Sequence, residues 1–356
     1  MKESWSYSKK KSFIQTYATF LKLNKMIITE IKKGVIGFEM YKNNPVYVYE
    51  DCFVIHKTKY SKDINDYISE GNGVLKKYQD KNSLYVYTNG TFEAVKVKYS
   101  QPTFFEENVW IEYSYLEDKN ANVRFMEHGK EKVFSLKTSN GLHSPRYIKE
   151  QSVFLFNDPA QKYLLTCSKN GEFMWQYTEE ADDLKINWRC IPVVDDVVVV
   201  TSEDCAVAEK IQGFNIRTGE KLWEIPNAEE IVCPNTFFVG EDQYLYGCCT
   251  ECAYYDEESK LIMTKLSPKN GHTESFEVGM GYSVMPYDVT MHGRQLYYAD
   301  NRRGNEIGVI DVDKREIVER VPLNIKKKVT IGAPVVTDDK VYVFISDLQE
   351  LRVFEK

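Results

Sequence analysis

An internal repeat constrains this 356-residue chain more than any other feature. Gly171-Glu172-Phe173-Met174-Trp175 and Thr218-Gly219-Glu220-Lys221-Leu222-Trp223-Glu224 share one pattern, and each follows a strand-like run and a proline. Pro145 lies 26 residues before Gly171, and Pro192 lies 27 before Gly219. Weaker copies follow Pro102, Pro234 and Pro286, while Pro45 and Pro334 open the first and last copies. The seven marker prolines are separated by a mean near 48 residues. That is the period of propeller blades, roughly 40–50 residues.

Helical repeats share this period, so local pattern decides. Val197-Val198-Val199-Val200, Leu245-Tyr246 and Val341-Tyr342-Val343-Phe344-Ile345 are short β-rich runs between turn residues. Thr218-Gly219 and Asn170-Gly171 supply a residue that accepts positive φ in the turn before a strand. Trp175 and Trp223 follow those turns at one offset, where a large ring packs one sheet onto the next. The expected fold is all-β: a seven-bladed β-propeller forming a single domain over residues 1–356. Only 22 residues follow Pro334, too few to finish the last sheet. A strand before Pro45 is therefore expected to close the ring, with Gly34–Tyr41 the first choice and Met26–Ile31 the alternative. The long first copy is read as carrying an insertion over His56–Asp80, an exposed loop or hairpin around Gly71-Asn72-Gly73. Within residues 12–25, Phe13, Tyr17, Phe20 and Leu21 line one face of a short helix.

Gly213-Phe214-Asn215-Ile216-Arg217-Thr218-Gly219-Glu220-Lys221-Leu222-Trp223 resembles the PQQ-like repeat of quinoprotein-type propellers, and Pro334–Val343 is similar to the strand that opens such a repeat. The resemblance implies a propeller; it does not imply the quinone cofactor, because many proteins with these repeats bind none, and none is expected here. The quinone-dependent dehydrogenases of that superfamily carry an export signal and an acidic calcium cluster. Neither can be matched here, although Cys248-Cys249 is a vicinal pair of the kind they oxidise.

The net charge is −7, and it is uneven. Residues 1–33 hold eight Lys and two Glu, a basic segment leading into the closing strand, so the remainder carries −13. An acidic body argues against nucleic acid as partner, because phosphate binding needs a basic surface. The longest apolar runs are too short to span a bilayer, and eight Cys without an export signal point to the cytoplasm. Cys249 and Cys252 have the spacing of a zinc or redox pair, but two further ligands are missing and ordinary thiols are the favoured reading. No nucleophile elbow, phosphate loop or paired-histidine motif occurs. Acidic pairs recur near turns: Asp182-Asp183, Glu203-Asp204 and Glu229-Glu230. They solvate blade edges, or form an acidic rim for a basic protein partner. The expected function is a monomeric, non-enzymatic protein-binding scaffold, a toxin-neutralising protein being one version. The alternative is an enzyme with a polar site at the channel mouth acting on a glycan or other small substrate.

Overall fold

Alternating apolar residues, interrupted every few positions by Asn, Asp, Gly or Lys turns, give strands that each bury one or both faces. In the computed structural model these strands assemble into eight sheets among the described residues. The structure describes residues 26–356 apart from 62–66, 72–73, 79–83, 89–90, 97, 100–101, 107, 116–119, 139–141, 159, 205–206, 229–235, 252–258, 301–304 and 328. The basic segment before Met26, with the helix expected there, lies outside the described residues.

Seven sheets run in antiparallel order along the chain, over residues 37–61, 67–95, 103–137, 143–178, 185–225, 238–280 and 289–322; in the fifth, Lys185–Ile186 and Val193–Val194 share the first position beside Val197–Asp204. The eighth combines Val335–Val336, Lys340–Ile345 and Glu350–Glu355 with a strand from the other end of the chain, Ile27–Lys33. Ile27 lies opposite Glu355 and Lys33 opposite Glu350. The expected contributor, Gly34–Tyr41, does something else: Gly37–Tyr41 is the first strand of the first sheet.

The count of seven is corrected to eight. The segment read as an insertion holds Tyr67–Gly71 and Val74–Tyr78, the first two strands of a complete second sheet. The first two sheets are compact: first strands start at Gly37, Tyr67 and Thr103, 30 and 36 residues apart, while later starts are 40–53 apart. The hairpins of the first sheet need no glycine. Lys42-Asn43 and His56-Lys57 each place two successive residues at positive φ, the backbone of a two-residue hairpin turn. Pro45 lies in the second strand of its sheet, so it does not mark a blade start.

One apolar cluster fills the space between each pair of neighbouring sheets. Phe125, Leu136, Phe154 and Phe156 join the third and fourth, and Trp175, Val198, Val200 and Phe214 the fourth and fifth. Ile307, Val309, Val341 and Val343 join the seventh and eighth. Val35, Tyr342, Leu351 and Val353, with Phe38 and Tyr47 against them, join the eighth and first. Burial of this kind, about 25 cal/mol per Å² of apolar surface, is what stacks the sheets.

The outer strands add a second device. Trp175 lies against Gly219 in the next sheet's turn, and its Nε1–H donates to the Ile216 carbonyl at 2.8 Å. Trp223 repeats this against Gly271, donating to the Pro268 carbonyl at 2.7 Å. Gly171 receives Phe134 in the same way. In the seventh sheet Arg315 takes the turn's positive-φ place, and its guanidinium stacks 3.8 Å from the Phe276 ring of the sixth.

Candidate interaction face

Strand order divides the loops between two faces. Connections from one sheet to the next share a face with the loops between second and third strands. Backbone hydrogen bonds tie the two kinds together: Val35 N–H to Gln349 O (3.1 Å), Gly281 to Ser259 (2.8 Å) and Leu323 to Asn305 (2.8 Å). On the opposite face, first-to-second turns bond to third-to-fourth turns, as in His128 to Asn108 (2.8 Å), Lys169 to Ser152 (2.8 Å) and Ile216 to Asp196 (2.8 Å).

The described acidic residues picked from sequence fall on the first of these faces. Asp182 and Asp183 lie in the connection from the fourth sheet to the fifth, and both are exposed. Glu203 and Asp204 end the second strand of the fifth sheet, Glu203 opposite Lys185 and Asp204 opposite Val207. Glu229 and Glu230 lie outside the described residues, in the connection from the fifth sheet to the sixth.

Beneath this patch is a group that the sequence did not single out. Glu179 is buried. Its carboxylate accepts from Lys210 Nζ at 2.8 Å, the Tyr177 hydroxyl at 2.8 Å, the Ser202 hydroxyl and the Ala181 N–H at 3.2 Å. Burial works against the charged form, but these donors more than offset it and hold the carboxyl at about 2. Lys162 completes the clamp by donating to the carbonyls of Ala181 (2.6 Å), Asp182 (3.0 Å) and Leu184. The loop carrying Glu180, Asp182 and Asp183 is thus fixed from below by two lysines, leaving its own carboxylates facing water. Ser202 and Lys210 come from another sheet, 23 and 31 residues away in sequence, so no local motif could reveal the clamp.

The inner strands of the third to fifth sheets enclose a second feature, a cavity of about 580 Å³ lined by Thr103, Phe105, Ser144, Arg146, Ile148 and Trp188 among others. Arg146 is its one charged lining group among the described residues. Its guanidinium donates to the carbonyls of Trp188 (2.6 Å) and Arg189 (2.8 Å), and burial pushes its pKa down. None of the described lining residues carries a carboxylate or imidazole, although the Ser144 hydroxyl lies 2.7 Å from the His143 Nδ1.

Cys249 lies in the central strand Leu245–Thr250, fully enclosed, and burial pushes its thiol up to about 12. Its neighbour Cys248 is raised further for the same reason. Both are therefore buried, protonated thiols. Among the described residues no three His, Cys, Asp or Glu side chains are placed to hold a metal ion. Cys252 lies outside the described residues. No helix among the described residues is long and apolar enough to cross a membrane.

No protein-family model matches the chain, and no curated protein matches it in sequence. Solved structures do match. BamB from Moraxella catarrhalis superposes with a TM-score of 0.58 at 11% identity, covering 93% of this chain and 100% of that one. The dihydro-heme d1 dehydrogenase NirN, in complex with DHE, gives 0.52 at 10% identity, over 81% of this chain and 66% of NirN. Chaetomium thermophilum Raptor gives 0.51 at 9% identity, over 96% of this chain and 30% of Raptor. At these identities the likeness is one of fold. With the sheet arrangement, it shows a β-propeller fold.

Proposed function

We propose that the chain is a protein-binding scaffold whose acidic face, over the fourth and fifth sheets, docks a partner with a basic surface. The observation that carries this reading is the clamped loop 179–184. Exposed Glu180, Asp182 and Asp183 stand on a backbone tied down by Lys162 and by the pair of buried Glu179 and half-buried Lys210. A recognition surface held rigid before binding loses less entropy on association. Opposite charge on the partner would steer encounter and fix register. The free, buried thiols of Cys52, Cys167, Cys190, Cys248 and Cys249 suit a reducing compartment, and the scaffold is proposed to act in the cytoplasm as a monomer. Neutralising a basic toxin would be one form of such docking. We further propose that strand Ile27–Lys33 closes the propeller, and that the closed ring is what holds the face rigid.

The test is affinity capture at native expression. A triple charge reversal, Asp182→Lys, Asp183→Lys and Asp204→Lys, should weaken partner binding by roughly tenfold or more, mainly through slower association at low salt. The melting temperature should stay unchanged, since all three side chains are exposed. Equal capture by the wild-type and reversed proteins would overturn the proposal.

A further inference from the structure

Along the outer strands, one ladder position recurs directly after a bulge. Trp175 holds it opposite Thr166, and Trp223 holds it opposite Gly213. Both indoles seal the gap to the following sheet. In the seventh sheet the same position is Glu319, opposite Val309, and in the eighth it is Glu30, opposite Val353. The two glutamates meet different fates. Glu319 accepts a hydrogen bond from the backbone N–H of Met26, whose side chain is buried in the cluster between the seventh and eighth sheets. Glu30 has no such plug. It pairs with Lys32 at 2.5 Å, and the Lys32 ammonium sits 4.6 Å from the Tyr47 ring centroid. The receiving turn has shrunk as well: the first sheet offers the two-residue turn His56-Lys57 where the fifth offers residues 216–220. With neither an indole nor a long turn to fill it, the outer gap between the eighth and first sheets among the described residues is a cleft of about 720 Å³.

Its walls are specific in character. Tyr47, Tyr49 and Tyr342 supply ring surface, and Asn43, Asn44, His56, Lys57, Lys340 and Asp339 supply donors and acceptors around the rim. Carboxylates and ammonium groups of the lining nearly balance, so a polyanion gains little there. Flat aromatic surface beside mixed polar groups suits a ligand whose C–H faces alternate with hydroxyls. The volume falls in the range of small-molecule sites, about 300–1,000 Å³.

We propose that this seam cleft binds a neutral oligosaccharide, one sugar ring resting where the missing indole would lie. The inference goes beyond the scaffold reading and is independent of it. The Asn43, His56-Lys57 and Asp339 turns that rim the cleft lie on the face opposite the acidic loops.

The experiment titrates the full chain with maltotriose, cellotriose and triacetylchitotriose, following tyrosine fluorescence and calorimetric heat. Saturable binding of at least one trisaccharide is expected. It should weaken roughly tenfold or more in Glu30→Trp, which restores the ring, and in the double variant Lys57→Ala, Asp339→Ala on the rim. Urea midpoints check that both variants fold. No binding of any of the three at millimolar concentration would overturn the proposal. So would affinities unchanged in both folded variants, or displacement of the sugar by inorganic phosphate.

Discussion

Gly219 shows how one residue carries an interface. Its φ is +72°, and a Cβ there would lie 2.5 Å from the Trp175 ring. Alanine would meet both a disfavoured backbone conformation and a ring held by its own hydrogen bond to Ile216. Gly219→Ala should therefore cost about 2 kcal/mol or more, read as a lower urea midpoint with an unchanged slope. A midpoint equal to wild type would remove the stacking argument. This much was legible in the sequence, because the glycine and the tryptophan each mark a turn-to-strand step. Which glycine receives which ring was not legible, since the partners lie in different sheets. Glu30 and Glu319 were likewise invisible as equivalents of Trp175 and Trp223: only the ladder register and its bulge reveal the match.

The unit that matters for function is the connecting loop 179–184 with its two lysine clamps. Glu179 is held at about 2 in the fold, against roughly 4.3 for an unperturbed glutamate. A carboxyl depressed in the folded state stabilises above its unfolded pKa, and that contribution is lost as pH falls through the folded value. The wild-type advantage over Glu179→Gln should thus be fully present at neutral pH, at about 2 kcal/mol. It should shrink between about pH 4.5 and pH 2. Urea midpoints of the two proteins across this range check it, and a pH-independent gap would show that the ion pair is not the source. The same scale explains the miscounted blades. Sheets four and five announce themselves by Gly-x-x-x-Trp turns. Sheet one turns on Lys42-Asn43 and His56-Lys57, side chains that tolerate positive φ less readily than glycine and carry no recognisable signature, while Gly71-Asn72-Gly73 reads in sequence as the tip of an exposed hairpin. Polar turn residues and short strands at a 30-residue period resemble an inserted loop, so the second sheet was absorbed into the first. The acidic pairs were legible as exposed turn residues, and only strand order showed the described ones sharing a face.

For the whole molecule, the first and last sheets are the decisive pair. An apolar cluster joins them as at every other interface, but the outer gap between them is the open cleft rather than an aromatic seal. Strand Ile27–Lys33 contributes little buried side chain, its residues being mostly exposed. Its contribution is main-chain pairing with Glu350–Glu355 and the anchoring of Met26. If it closes the ring, as proposed, opening it should require the eighth sheet to open with it. Native-state hydrogen exchange on the full chain tests this most directly. The account expects amides in 27–33 to be protected to within about tenfold of those in 350–355. Exchange in 27–33 at the rate of an unstructured chain, with 350–355 still protected, would contradict it: the ring would stand without its amino-terminal strand.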